Sequence, residues 1–140
     1  MGNISYHYEV ENFEHIKEDL VSNWILLVIS SHKGELGELT YVFLSDDDLL
    51  DMNKKYLDHD YYTDILTFPH NPDSSLISGD IFISIDRVKE NALSFNESFL
   101  DELNRVMIHG VLHLLGFDDH GENEKEMRFK ESEALNLRNF

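Results

Sequence analysis

Between Glu97 and Leu115 the apolar residues Leu100, Leu103, Val106, Met107, Val111 and Leu114 return every three or four positions. That period belongs to one side of an α-helix of about five turns, and such a side must be buried along its length. Any fold open to this chain has to supply a broad apolar partner for that helix. Four short segments can build one. Leu39–Leu44, Thr63–Phe68 and Gly79–Ile85 are rich in β-branched and aromatic residues, and Ile4–Val10 alternates like a strand.

Further helices are expected around this sheet. Phe13, Ile16, Leu20, Trp24 and Leu27 recur at helical steps. Ser45 or Asp46 can cap a helix running through Tyr56, with Leu49, Met52, Asn53 and Tyr56 on one face. Asp86 is placed to cap another that runs to about Ser94. Residues 122–136 are amphipathic through Met127, Phe129, Ala134 and Leu137 and form a last helix. Pro69 and Pro72 lie in or beside a polar stretch, His70 to Ser75, that reads as an exposed loop. The expected fold is α+β, close to α/β in character: a single mixed sheet of about four strands packed by about five helices, in one domain over 1–140.

Composition narrows the chemistry. The 140 residues contain no cysteine, so a metal ion would have to sit on His, Asp or Glu. The first seven residues lack a basic region followed by an apolar core, and the most apolar run, Trp24 to Ser30, is too short to span a bilayer. A soluble, cytoplasmic protein is expected, with no membrane partner. With 28 acidic and 11 basic residues the formal charge is −17, which opposes DNA binding and non-specific attraction to any nucleic acid.

The informative segment is His109-Gly110-Val111-Leu112-His113-Leu114-Leu115-Gly116-Phe117-Asp118-Asp119-His120. Residues four apart on a helix stand one above the other, so two imidazoles at that spacing can reach one ion. Gly116 can take the left-handed conformation that reverses a chain at a helix end. The bend would carry Asp118, Asp119 or His120 back over the histidines. Three protein ligands leave a tetrahedral ion one position for water, the catalytic arrangement. Gly110 costs the helix roughly 1 kcal/mol relative to alanine, which implies that substrate or another backbone approaches closely there.

This segment resembles the signature of the YbeY family of bacterial metallo-endoribonucleases, His-Gly-x-Leu-His-Leu-x-Gly-x-Asp-His. The likeness extends to Asn53-Lys54-Lys55-Tyr56, to Thr63-Asp64-Ile65-Leu66-Thr67-Phe68-Pro69 and to Gly79-Asp80-Ile81, and so covers most of the chain from about Leu39 onward. It implies one zinc ion per chain and hydrolysis of single-stranded RNA. The biological role it implies is processing of the small-subunit 16S rRNA 3′ end and ribosome quality control, with the ribosome or a ribosomal protein as partner. Aligned without a gap, the family's third histidine falls on Asp119, and His120 is the alternative ligand if the turn is one residue longer. The arginine that the family carries after the tyrosine is Leu57 here, which moves the phosphate-contact role to Lys54, Lys55 or His59.

Zinc in such a site lowers the pKa of a bound water to about 7 and polarises a phosphoryl oxygen. His109 and Asp118 are the expected catalytic residues, with Asp118 either a base, a partner orienting an imidazole, or a residue of the helix-end turn. Gly110 stands where zinc proteases of the His-Glu-x-x-His type carry their base, which argues against that class. A small zinc hydrolase acting on peptides or small molecules, and a non-catalytic ribosome-associated factor, are the competing readings. Lys54, Lys55, Arg87, Lys89 and Arg105 are the basic residues available to line an RNA cleft. Affinity for isolated RNA is expected to be weak and to fall steeply with salt.

Overall fold

The computed structural model describes residues 2–70 and 75–140. The loop expected at 70–75 lies largely outside the described residues. In chain order the elements are β1 (Asn3–Tyr8), α1 (Glu18–Ser31), β2 (Glu35–Leu44), α2 (Asp46–Leu57), β3 (Ile65–Pro69), β4 (Leu76–Ser84), α3 (Ile85–Ser94), α4 (Phe99–Leu114), a 3-10 turn at Gly121–Asn123, and α5 (Glu124–Asn136). The four strands form one sheet in the order β1-β2-β4-β3. β1 and β4 run parallel to β2, and β3 closes the edge antiparallel to β4. Among the described residues this is the mixed four-stranded sheet with five α-helices that the sequence pattern implies.

Helix α4 is the hub. It follows a clean cap, with the Ser98 side chain accepting from the Asp101 N–H at 3.1 Å. From Glu102 to Leu112 every residue is buried except Arg105 and His109; His113, one turn on, is half-buried. Tyr41 on β2, itself fully buried, donates its hydroxyl to the Met107 carbonyl at 3.0 Å and so ties sheet to helix. On the far side Trp24 of α1 donates to the Ala134 carbonyl of α5 at 2.7 Å.

Gly110 owes its identity to this packing. A Cβ built there would stand 2.8 Å from Ile81 Cδ1 and 3.1 Å from Ile65 Cδ1. Strands β3 and β4 are what come close, and no substrate is required to explain the glycine.

Three local expectations need correction. Helix α1 starts only at Glu18, so Phe13 and Ile16 are buried from the segment before it. Its inward face is Val21, Trp24, Ile25 and Val28, and Leu20 and Leu27 are exposed. The cap of α3 is Ser84, which accepts from the Arg87 N–H at 3.1 Å; β4 runs straight into the helix and leaves no room for a cap at Asp86. Asp86 accepts instead from the Asp46 N–H at the start of α2, at 2.9 Å. In α5 the inward stripe is Met127, Glu131 and Ala134, and Phe129 is exposed.

Gly110→Val adds two methyl-sized groups and a β-branched side chain where even one Cβ meets Ile81. We expect a loss of roughly 1–3 kcal/mol in urea unfolding, the usual cost of overpacking a core.

Candidate metal centre

The uncovered ridge of α4 carries Arg105, His109 and His113 at successive turns. The helix then ends as the sequence suggests. Gly116 sits at φ +104°, the Phe117 N–H reaches the Leu112 carbonyl at 3.0 Å, and the Gly116 N–H reaches the His113 carbonyl at 3.0 Å. This is a Schellman closure, which turns the chain back along the helix. Phe117 is held from both sides, by the edge of His32 at 5.3 Å and by Lys130 Nζ 5.8 Å above its ring.

The reversal brings Asp119 to the histidines. His109 Nε2 lies 3.0 Å from His113 Nε2 and 3.2 Å from Asp119 Oδ2, and His113 Nε2 lies 3.6 Å from the same oxygen. A tetrahedral ion with bonds of about 2.0–2.1 Å holds its ligand atoms about 3.3 Å apart. The donor types and spacings of His109, His113 and Asp119 therefore fit a metal ion. His120 is placed differently: its ring is largely exposed, with Nε2 3.7 Å from Asp119 Oδ1 and 3.9 Å from Asp118 Oδ1. Asp118 accepts from the His120 N–H at 3.1 Å, as a turn residue does. Asp118, Asp119 and His120 form a second group of potential donors, exposed except at Asp119.

Behind the histidines stands a residue that the sequence reading missed. Glu131 of α5, nearly fully buried, meets His109 Nδ1 at 2.5 Å through one carboxylate oxygen and Arg105 at 3.0 Å through the other. Its bond to Nδ1 leaves Nε2 as the atom that faces Asp119 and His113. Arg105 is also gripped by buried Glu102, at 3.0 and 2.6 Å. A charged residue on the inward face of an otherwise amphipathic helix was the available signal for Glu131.

The electrostatics separate the two histidines. Burial disfavours the charged form of His109, but the Glu131 hydrogen bond and the charges of Glu131, Asp119 and Asp64 outweigh it and raise the pKa. Burial and the neighbouring His109 lower that of His113. For Glu131 burial pushes upward, and the bonds to His109 and Arg105 prevail and hold its pKa below the ordinary range. Asp64 is pushed up by burial, with Arg105 and His109 opposing.

A cavity of about 640 Å³ is lined in part by Leu57, Asp64, Arg105, His109, His113, Asp119 and His120. The other basic residues are engaged elsewhere. Lys54 pairs with Asp60 at 3.4 Å, Lys55 lies over Tyr56, Arg87 binds Asp46 at 2.8 Å, and Lys89 donates to the Asn12 carbonyl. His59 packs against Tyr61 in the loop after α2. None of these five residues lines the cavity, whereas Arg105 does.

Fold and site together define an α+β protein with a candidate three-donor metal centre on a cavity wall. The family model for Endoribonuclease YbeY matches residues 4–139. An Endoribonuclease YbeY of Cytophaga hutchinsonii is 50% identical over 121 residues, covering 86% of this chain and 85% of the relative. One from Parabacteroides distasonis is 44% identical over 133 residues, covering 94% and 93%. The solution structure of TM1509 from Thermotoga maritima superposes with a TM-score of 0.67 at 27% identity, over 96% of this chain and 88% of that one. The chain belongs to the YbeY endoribonuclease family. Among the described residues no helix is long and apolar enough to cross a membrane.

Two outcomes follow for metal binding. Glu131→Gln should weaken it by roughly 10–100-fold in a competition titration, the usual cost of losing a partner that orients a ligating histidine. The pH dependence has a definite sign. Protonated His109 stabilises the metal-free fold below its ordinary pKa of 6.5, and that contribution fades as pH rises through the raised folded value. Metal binding needs the neutral ring, so apparent affinity should fall by up to about tenfold per unit as pH drops below that value.

Proposed function

We propose that residues 1–140 form one metal-dependent hydrolase domain, a zinc endoribonuclease specific for single-stranded RNA. In this reading it acts in the cytoplasm on ribosomal RNA precursors, in maturation of the small-subunit 16S rRNA 3′ end and in ribosome quality control. The observation that carries the reading is the trio His109, His113 and Asp119, whose donor atoms stand at tetrahedral spacing on the wall of a cavity. Family membership supports the choice of RNA as substrate.

The residues divide the work. His109, His113 and Asp119 would hold the ion, with Asp119 favoured over His120 because its oxygen already lies against both rings. A bound zinc ion supplies Lewis acidity, lowering the pKa of a coordinated water to about 7 and stabilising charge that develops on a phosphoryl oxygen. Glu131 keeps His109 in the tautomer that presents Nε2. Asp64 places a carboxylate in the same cavity, and Arg105 is the guanidinium on its wall. For Asp118 the turn role is the better supported, since it accepts the His120 N–H and is absent from the cavity lining. Lys54, Lys55 and His59 stand outside that lining, and this reading does not assign the phosphate to them. With so little positive surface, the ribosome or one of its proteins supplies the electrostatic attraction.

The test compares zinc-loaded wild type with His113→Ala on single-stranded RNA, duplex RNA and casein. Wild type should cut single-stranded RNA alone, and His113→Ala should fall to background. Equal RNA cleavage by both proteins, or cleavage of casein by wild type, would contradict the reading.

A further inference from the structure

The loop joining α2 to β3 runs from one cavity-lining residue, Leu57, to another, Thr63. Residues 58–62 are all exposed, yet the loop is firmly held. Buried Asn53 grips both limbs: its carbonyl accepts the His59 N–H at 3.1 Å, and its side-chain amide donates to the Tyr61 carbonyl at 2.9 Å. Because these bonds use the backbone, the aromatic rings are not needed to close the loop. The rings are nonetheless locked. Tyr61 stacks on His59 at 5.1 Å and 22°, and its hydroxyl meets His59 Nδ1 at 3.0 Å. The residue is still 55% exposed. Tyr62 carries Arg87 on one face at 5.3 Å and donates its hydroxyl to Asp47 at 3.2 Å. Tyr56, at the end of α2, meets Phe68 edge-on and is also exposed.

We propose that this rim is a nucleobase-stacking platform, with Tyr61 as its principal ring, for the unpaired bases of RNA flanking the phosphodiester at the metal centre. The inference rests on the endoribonuclease reading. Charge supplies the second argument. The chain is strongly acidic, and the cavity's one guanidinium is neutralised by Glu102 and Glu131. Phosphate attraction is therefore weak, and affinity has to come from contacts that charge does not govern. Stacking on a pre-positioned ring is such a contact, tolerant of sequence and available only to bases that have left a duplex. This revises the expectation of steep salt dependence, because the basic cleft on which it leaned is reduced to Arg105.

The experiment measures KM for cleavage of a short single-stranded RNA, at low and high salt, by wild type, Tyr61→Ala and Tyr61→Phe. A second substrate, abasic beside the scissile bond, is given to wild type. Tyr61→Ala should raise KM by roughly five- to a hundredfold, the range covered by one base stacked on one ring, and by the same factor at both salts. Tyr61→Phe should stay near wild type. The abasic substrate should reproduce the Tyr61→Ala defect without any change to the protein. A wild-type KM for Tyr61→Ala, an equal loss in Tyr61→Phe, a defect that vanishes at high salt, or an abasic substrate cut as well as the intact one would each overturn the platform. If wild type does not cleave RNA, the functional reading falls and takes the platform with it. If wild type cleaves and Tyr61→Ala is indistinguishable from it, only the platform falls.

Discussion

Everything at the candidate site depends on how completely α4 is covered. The sheet, α3 and α5 pack against it, and from Glu102 to Leu112 every residue but Arg105 and His109 is buried. A helix so enclosed cannot shift or rotate without opening the core. The open ridge is thereby held rigidly, and the three side chains at four-residue intervals along it stand on the cavity wall. Gly110 marks the cost of that enclosure, since a side chain beneath the histidines would have to displace Ile81 and crowd Ile65.

The polar groups along the ridge solve a second problem. Glu102 and Glu131 are buried carboxylates, which is costly unless each finds a partner. Arg105 serves both, and His109 takes the remaining oxygen of Glu131. This chain of charges crosses from α4 to α5 and fixes the orientation of one imidazole. His113 bonds instead to the backbone of Phe117, an uncharged partner, and burial with the neighbouring His109 lowers its pKa where that of His109 is raised. One ligand is thus backed by a buried carboxylate and the other by the backbone of the closing turn.

Much of this was legible in the residues. The period of α4, the i, i+4 histidines and the glycine bend follow from local rules, because each is set by residues within a few positions of one another. The competition between Asp119 and His120 was open in sequence because one residue of turn length decides it; beyond the Schellman closure at Gly116 the Asp119 carboxylate lies against both imidazoles, while the His120 ring is largely exposed. Glu131 was illegible as a contact, since it lies 22 residues from His109 and meets it only through helix packing. The start of α1 was misread because Phe13 and Ile16 are buried by tertiary contact while mimicking a helical period. The partners of the basic residues were hidden for the same kind of reason: Lys54, Arg87 and Lys89 each find one that no spacing rule reveals.

The central claim is that two imidazoles and one carboxylate, all from α4 and its returning turn, form an open three-ligand site. X-ray absorption at the zinc edge, on protein loaded with one equivalent, tests it most directly. The account requires two nitrogen ligands and one protein carboxylate oxygen at about 2.0–2.2 Å, with at least one further oxygen from water. A first shell with three imidazoles, or an unchanged spectrum in the Asp119→Ala protein, would contradict it.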